Sequence, residues 1–146
     1  MFSKSTEYAL RATIYIAQRG SEENKLSLQE IAEAIDSPPS FTAKILQSLT
    51  KDNCVISSVR GPNGGFFISE ESKLLPIRKV LEAMDENDLF VKCILGLNNC
   101  SENMPCPMHY QYKPIKQQLV KLFETKTILQ LSDPMLANTY LVNNSL

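Results

Sequence analysis

Three of the chain's four cysteines fall in one stretch, Cys93, Cys100 and Cys106, spaced C-x6-C-x5-C, and the only histidine follows as Cys106-x2-His109. Between them lie Gly96, Asn98, Asn99, Ser101, Asn103 and Pro105, residues that favour turns. Ligand-type side chains therefore sit on a loop able to fold around something. Thiolates bind soft and borderline metals, and three of them with one nitrogen or oxygen complete a tetrahedral zinc site or an iron–sulfur cluster. Gaps of six and five residues are loose for mononuclear zinc, which favours closer cysteine pairs, and suit a cluster whose irons take ligands from several directions. A disulfide or redox thiols, or three cysteines without a role, are the other readings of the same spacing.

The rest of the composition sets bounds. A chain of 146 residues makes one domain, or one domain with a dimerisation appendage. With 43% hydrophobic and 21% charged residues it has the make-up of a soluble globular protein. A net charge of −1 gives no global basic excess, so any nucleic-acid binding must come from local patches. There is no apolar run of membrane-spanning length, and Met1–Gly20 is interrupted by Lys4, Glu7, Arg11 and Arg19, against a signal peptide. The expectation is a cytoplasmic protein away from membranes, where stable disulfides are rare. One histidine, no nucleophile motif and no phosphate loop give no enzyme constellation, and no small-molecule substrate is expected.

The elements that must position these residues are mostly helical. Residues 4–19 carry a broad apolar face through Tyr8, Leu10, Ala12, Ile14, Tyr15, Ile16 and Ala17, with Ser3 or Ser5 as cap and Gly20 as the stop. Residues 27–36 open on the capping box Ser27-x-x-Glu30 and bury Leu28, Ile31, Ala32 and Ile35. After the turn Asp36-Ser37-Pro38-Pro39, a third helix from Ser40 to Asp52 turns Phe41, Ile45, Leu46 and Leu49 inward and leaves Ser40, Thr42, Ala43, Lys44, Gln47 and Ser48 to face out. Two short helices joined this way form a helix-turn-helix, whose second helix can enter a DNA major groove.

Two β-branched runs follow, 54–59 and 65–69, around the tip Arg60-Gly61-Pro62-Asn63-Gly64. A hairpin in this place makes the unit a winged helix, with Arg60 positioned to reach phosphate or a narrow minor groove. Cys54 lies in the hairpin, far from the other cysteines, and reads as a small core residue. Residues 76–86 form a further helix with Pro76 in its first turn. From Cys106 to Glu124 helical spacing returns through Ile115, Leu119, Leu122 and Phe123, and Pro114 must kink this helix or begin its regular part. A long late helix with an apolar stripe on so small a domain suggests a dimer interface. The tail is expected to pack through Ile128, Leu129 and Leu131, and to fray or dock onto a partner beyond Pro134.

The expected fold is thus mainly α with a small β-wing: a winged helix-turn-helix domain over 1–86, a cysteine loop over 87–105, and a dimerisation helix with its tail over 106–146.

Residues 8–12 (YALRA), 27–35 (SLQEIAEAI), 44–49 (KILQSL), 59–66 (VRGPNGGF) and the cysteine triad together resemble the Rrf-two family of bacterial winged-helix regulators, over roughly residues 1–131. The resemblance implies a homodimer bound to a palindromic double-stranded DNA operator. It implies that Ser40, Phe41, Thr42, Ala43 and Lys44 open the recognition helix and that Arg60, Gly61, Pro62, Asn63, Gly64 and Gly65 form the wing. It further implies an iron–sulfur cluster, 2Fe–2S or 4Fe–4S, on Cys93, Cys100 and Cys106, and a regulator responsive to redox, nitric oxide or iron–sulfur status. Some members complete the cluster with a histidine just past the third cysteine, here His109. Others use an acidic residue in the first helix of the partner subunit, a place that Glu7 matches. The first cysteine gap is longer than the family's common one, and Ala43 stands where iron–sulfur members carry a base-reading glutamate, so operator sequence does not transfer. Two other classes stay open: a zinc-bound or cluster-free thiol-switch regulator, and a dimeric protein-interaction module.

Overall fold

The first helix, α1 (Lys4–Arg19), begins where the Ser3 hydroxyl accepts the Thr6 N–H at 3.2 Å. Its inward face is Thr6, Ala9, Ala12, Thr13, Ile16 and Ala17. The aromatic and long aliphatic residues expected there, Tyr8, Leu10, Ile14 and Tyr15, are only half-buried. Small side chains hold the centre because helices α2, α3, α5 and α8, placed below, all approach α1. Thr13 is tolerated in this apolar environment because its hydroxyl donates to the Ala9 carbonyl at 2.8 Å. Gly20 does end the helix, but in extended backbone rather than the left-handed form of a glycine cap. A side chain there would lie 3.0 Å from the Ile16 carbonyl oxygen and 3.3 Å from Leu26, so closeness is what asks for glycine.

The structure is a computed structural model that describes residues 1–53 and 55–133; Cys54 and the segment from Pro134 onward, with the expectations attached to them, lie outside the described residues. Helix α2 (Leu28–Ala34) carries the expected capping box: Glu30 N–H donates to Ser27 Oγ at 3.1 Å, and Ser27 N–H to Glu30 Oε2 at 2.7 Å. Asp36, at φ 53, reverses the chain, and α3 (Pro39–Thr50) starts with a proline whose missing N–H no helix would use. Thr42, Ile45, Leu46 and Leu49 form its buried face.

The wing is a two-stranded antiparallel sheet, β1 (Ser57–Val59) on β2 (Gly65–Phe67), in the register Ser57–Phe67, Ser58–Phe66, Val59–Gly65. Leu26 extends it, exchanging both backbone hydrogen bonds with Phe66 at 2.9 and 2.8 Å. The strands are shorter than expected for a physical reason. Val55 and Ile56 turn into the core and give their N–H groups to the Leu49 carbonyl, while Ser69 leaves the ladder to cap the next helix. At the tip Gly61 has φ 106, and a Cβ at Gly64 would lie 2.2 Å from the Val59 carbonyl oxygen.

Three short helices, α4 (Glu70–Lys73), α5 (Arg78–Ala83) and α6 (Asp88–Val91), then lead to the long helix α7 (His109–Thr125). Pro76 is not in the first turn of α5 as expected. It bridges to Thr127, and Ile77 N–H donates to the Lys126 carbonyl at 2.8 Å. This brings α8 (Ile128–Leu131), which has its own Thr127–Gln130 capping box, onto α1 with Ile128 fully buried. Helix α7 starts three residues later than expected, and runs through Pro114.

One contact ties the chain's start to the entry of the cysteine loop. Glu86 accepts Ser3 N–H at 2.8 Å, the Ser3 hydroxyl at 2.7 Å and the Thr6 hydroxyl. Burial pushes the Glu86 carboxyl up, but the bonds from Thr6 and Ser3 outweigh it and leave the group below its ordinary value of 4.5. A carboxylate lowered in the folded state stabilises the fold above its unfolded value, and that contribution is lost as pH falls through the folded value. Glu86→Ala should therefore lower stability at neutral pH by about 1–3 kcal/mol, chiefly by removing the charged acceptor of the Thr6 hydroxyl, the Ser3 hydroxyl and the Ser3 N–H. The gap to wild type should narrow below the ordinary carboxylate range, as read by denaturant unfolding at a series of pH values.

Candidate cluster site and nucleic-acid interface

The cysteine loop is anchored at both ends. Where α6 stops, Lys116 of α7 donates to the Val91 carbonyl at 3.0 Å and the Lys92 carbonyl at 3.2 Å, so the start of the loop is fixed on the long helix. Cys93 then folds the chain back: its N–H donates to the Leu97 carbonyl at 3.1 Å and its carbonyl accepts Gly96 N–H at 2.9 Å, with Gly96 at φ 80. At the far end the Cys106 carbonyl accepts His109 N–H at 3.0 Å, the bond that starts α7. In the middle, Glu102 pairs with Lys113 of α7.

The Cys93 sulfur is buried. The Leu95 backbone, the neighbouring Cys106 thiol and the charge of Lys116 hold Cys93 below the usual thiol range despite burial. The Cys106 thiol is pushed up by Cys93 and by its own desolvation. The Cys100 sulfur lies 3.4 Å from His109 Nδ1. His109 is only 2% exposed, and its Nε2 is buried without a hydrogen-bond partner among the described residues. Cys100 and His109 line a cleft of about 330 Å³ with Phe90, Glu102, Lys113 and Gln117. Among the described residues no three His, Cys, Asp or Glu side chains already converge as a metal cage. The donor set nevertheless fits an iron–sulfur cluster chemically: three soft thiols, and an imidazole nitrogen directed at one of them.

Glu7 is placed elsewhere in the chain. It lies on the outer side of α1 in an ion pair with Lys4 at 3.2 Å, and is not gathered with the cysteines.

On the opposite task, Ser40, Ala43 and Lys44 are exposed at the start of α3, with Gln47 a turn further on. Thr42 is a correction to the expected set: it is fully buried, because its hydroxyl bonds back to the Pro38 carbonyl at 3.0 Å inside the turn. Phe41 is half-buried, edge-on to the Tyr8 ring at 5.6 Å, and Arg11 lies over that same ring at 4.6 Å. In the wing, Arg60, Gly61, Pro62 and Asn63 are exposed, and Gly64 and Gly65 are half-buried where the strands close.

The apolar stripe of α7 divides in two. Phe123 turns inward onto Phe2 and Phe90, at ring distances of 5.5 and 5.7 Å. Ile115, Leu119 and Leu122, at helical spacing, share a face that the other described residues leave partly open: Ile115 is 60% and Leu122 48% exposed, and Leu119 is half-buried. Sequence reasoning missed the residues that hold the loop, Glu86, Lys116, Glu102 and Lys113. Their partners lie too far along the chain to leave a local signal.

The family model "Iron-dependent Transcriptional regulator" of the Rrf2 family matches residues 2–134. An HTH-type transcriptional regulator from Aquifex aeolicus is 32% identical over 133 residues, 90% of each chain. The HTH-type transcriptional regulator IscR from Klebsiella pneumoniae is 27% identical over 124 residues, 85% of this chain and 74% of the relative. The solved structure of CymR, the global cysteine regulator of B. subtilis, is similar with a TM-score of 0.72 at 17% identity, over 90% of this chain and 95% of that one.

Arg60→Ala should weaken binding to DNA from the chain's own promoter on every sequence tested and reduce the salt slope by about one. Fluorescence anisotropy across a salt series checks this, and superimposable isotherms would remove Arg60 from the interface.

Proposed function

The chain belongs to the Rrf2 family of transcriptional regulators, and on that premise we propose that it is a cytoplasmic homodimer which binds a two-fold operator through α3 and the wing, under control of an iron–sulfur cluster held by Cys93, Cys100, Cys106 and His109. The observation that supports the cluster reading is the contact of His109 Nδ1 with the Cys100 sulfur at 3.4 Å, in a loop whose two ends carry the other two thiols. That contact favours His109 over Glu7 as the fourth ligand, since Glu7 is engaged by Lys4. The domain over 1–86 reads DNA, the loop over 87–105 senses, and the region from 106 onward pairs the subunits.

A bound cluster supplies a centre that exchanges electrons and reacts with oxygen or nitric oxide. This chain's own residues turn that chemistry into geometry. Cys93, Cys100, Cys106 and His109 would hold the group, and holding it would stiffen the loop between α6 and α7. Lys116 passes the position of the loop's start to α7, and Glu86 passes it to α1 through Ser3 and Thr6. Helix α1 packs on α3, so the state of the loop bears on how two recognition helices are spaced across the dimer. An imidazole is a weaker match to iron in a sulfide cluster than thiolate, which makes His109 the first ligand to yield. Zinc binding or a purely thiol-based switch would use the same loop.

The deciding experiment is anaerobic reconstitution read by absorption, iron and sulfide content. Wild type should load; Cys93→Ala, Cys100→Ala and Cys106→Ala should each lose the cluster. His109→Ala should load but lose it faster in air, and Glu7→Ala should behave as wild type. Full iron loading of Cys100→Ala, or zinc in place of iron in the anaerobically purified protein, would overturn the cluster reading.

The exposed stripe on α7 supports the dimer. Leu119→Asp should convert a dimer into monomers, because the introduced carboxylate would have to be desolvated to keep the interface. Light scattering at micromolar concentration is the readout, and a monomeric wild type would reject the interface.

A further inference from the structure

Two arms reach from the winged-helix part of the chain to the wall of the Cys100–His109 cleft. Phe90 of α6 and Glu124 of α7 line that cleft. Phe90 is 8% exposed and lies against Phe123 of α7, with 5.7 Å between ring centres and 56° between planes. Phe123 also receives Phe2, edge-on at 5.5 Å and 76°. Phe2 directly precedes Ser3, the cap of α1, so a ring ties the start of α1 to α7. The second arm is Arg78 of α5, whose guanidinium lies over the Phe90 ring at 4.8 Å and pairs with Glu124. Helices α1 and α5 pack on each other and on α3. Edge-on ring pairs depend on orientation as well as distance, because the positive edge of one ring meets the negative face of the other. A shift of Phe90 with the cleft therefore alters the seat that Phe123 offers to Phe2.

We propose that Phe2 is a positioning residue for DNA binding, and that the stack Phe90–Phe123–Phe2 is the joint by which the state of the cleft reaches α1 and, through it, the recognition helix α3. The inference rests on the operator reading given above and names how the same loop is coupled to DNA, but it requires no iron. Glu86 holds Ser3 and Thr6 from the link between α5 and α6, whereas Phe2 refers α1 to α7 itself. With α7 pairing the subunits, the seat of Phe2 bears on how far apart the two copies of α3 stand. An operator with half-sites at a fixed spacing senses that separation. Truncating Phe2 removes a half-buried ring ahead of the helix and leaves the buried face of α1 whole, so the variant should fold and pair as wild type does.

The test is a double-mutant cycle on the full-length, metal-free protein, with any purification tag at the C-terminus so that Phe2 keeps its place. Phe2→Ala, Phe90→Leu and the double variant are titrated onto promoter DNA by fluorescence anisotropy, after thermal melts and light scattering have shown wild-type folding and mass. Arg78→Gln, which frees Phe90 from its cation, replaces Phe90→Leu if that variant does not fold. Each single change should weaken binding about fivefold or more, and the double should be no weaker than the worse single, because both open the same joint. Phe2→Tyr, which keeps the ring, should restore wild-type binding. The cycle is repeated without DNA by hydrogen exchange at the Glu7 N–H, which donates to the Ser3 carbonyl at 3.0 Å in the first turn of α1. Phe90→Leu should speed that exchange in the wild-type background and add nothing in the Phe2→Ala background. Losses that multiply, full affinity of Phe2→Ala, or a Phe90→Leu effect on Glu7 that survives Phe2→Ala would each overturn the proposal, the last because the coupling would then run through Glu86. Should the wild type not bind the DNA, the operator reading fails while the exchange cycle still decides the joint, and iron loading enters neither measurement.

Discussion

Four helices can lean on α1 at once only because its inward face is made of Ala9, Ala12, Thr13 and Ala17 around Ile16. A helix that presents methyl groups lets its neighbours come close from several sides, and close packing is what gives dispersion contacts their collective strength. Helices α3, α5 and α8 are therefore referred to one axis. Ile31, Ile45, Leu49, Val80 and Ile128, all essentially without exposure, close the core around it. Displacing α1 would displace every functional element, which is why the Glu86 contact at its first turn matters out of proportion to its size.

The cysteine loop obeys different physics. Its residues from Ile94 to Met104 include Leu95 and Leu97, about half exposed, and Met104, 83% exposed, so no core holds it. What shape it has comes from its two ends, from the Glu102–Lys113 pair and from the Cys100–His109 contact. A segment with few apolar contacts and several directional ones can change shape when those contacts change, at little expense to the rest of the fold.

His109 shows the same division at the level of one side chain. Its ring is as buried as the core, yet one nitrogen faces a thiol and the other has no hydrogen-bond partner among the described residues. A buried polar atom without a partner is unfavourable, and the packing around the ring has to offset that cost.

Much was legible in the chain alone. The capping box at Ser27 and Glu30, the paired prolines before α3, the glycine-rich tip after Arg60 and the period of the long helix are local devices, each acting within a few residues, and they located the winged helix and the cysteine loop. The C-x6-C-x5-C spacing with His109 behind it also picked out the residues of which the structure brings Cys100 and His109 together. Local signals could not say which way a polar residue turns when the turn beside it offers a carbonyl, so Thr42 reads as exposed and is buried. Nor could they separate Phe123 from its helix neighbours, because the choice depends on Phe2 and Phe90, which arrive from other parts of the chain. Composition and spacing determined which side chains could do chemistry and roughly where. Only the tertiary structure decided that the Cys100 sulfur meets His109 Nδ1, because that contact depends on the loop folding back onto the start of α7, where the Lys116 bonds to Val91 and Lys92 hold it, rather than on any run of neighbours in sequence.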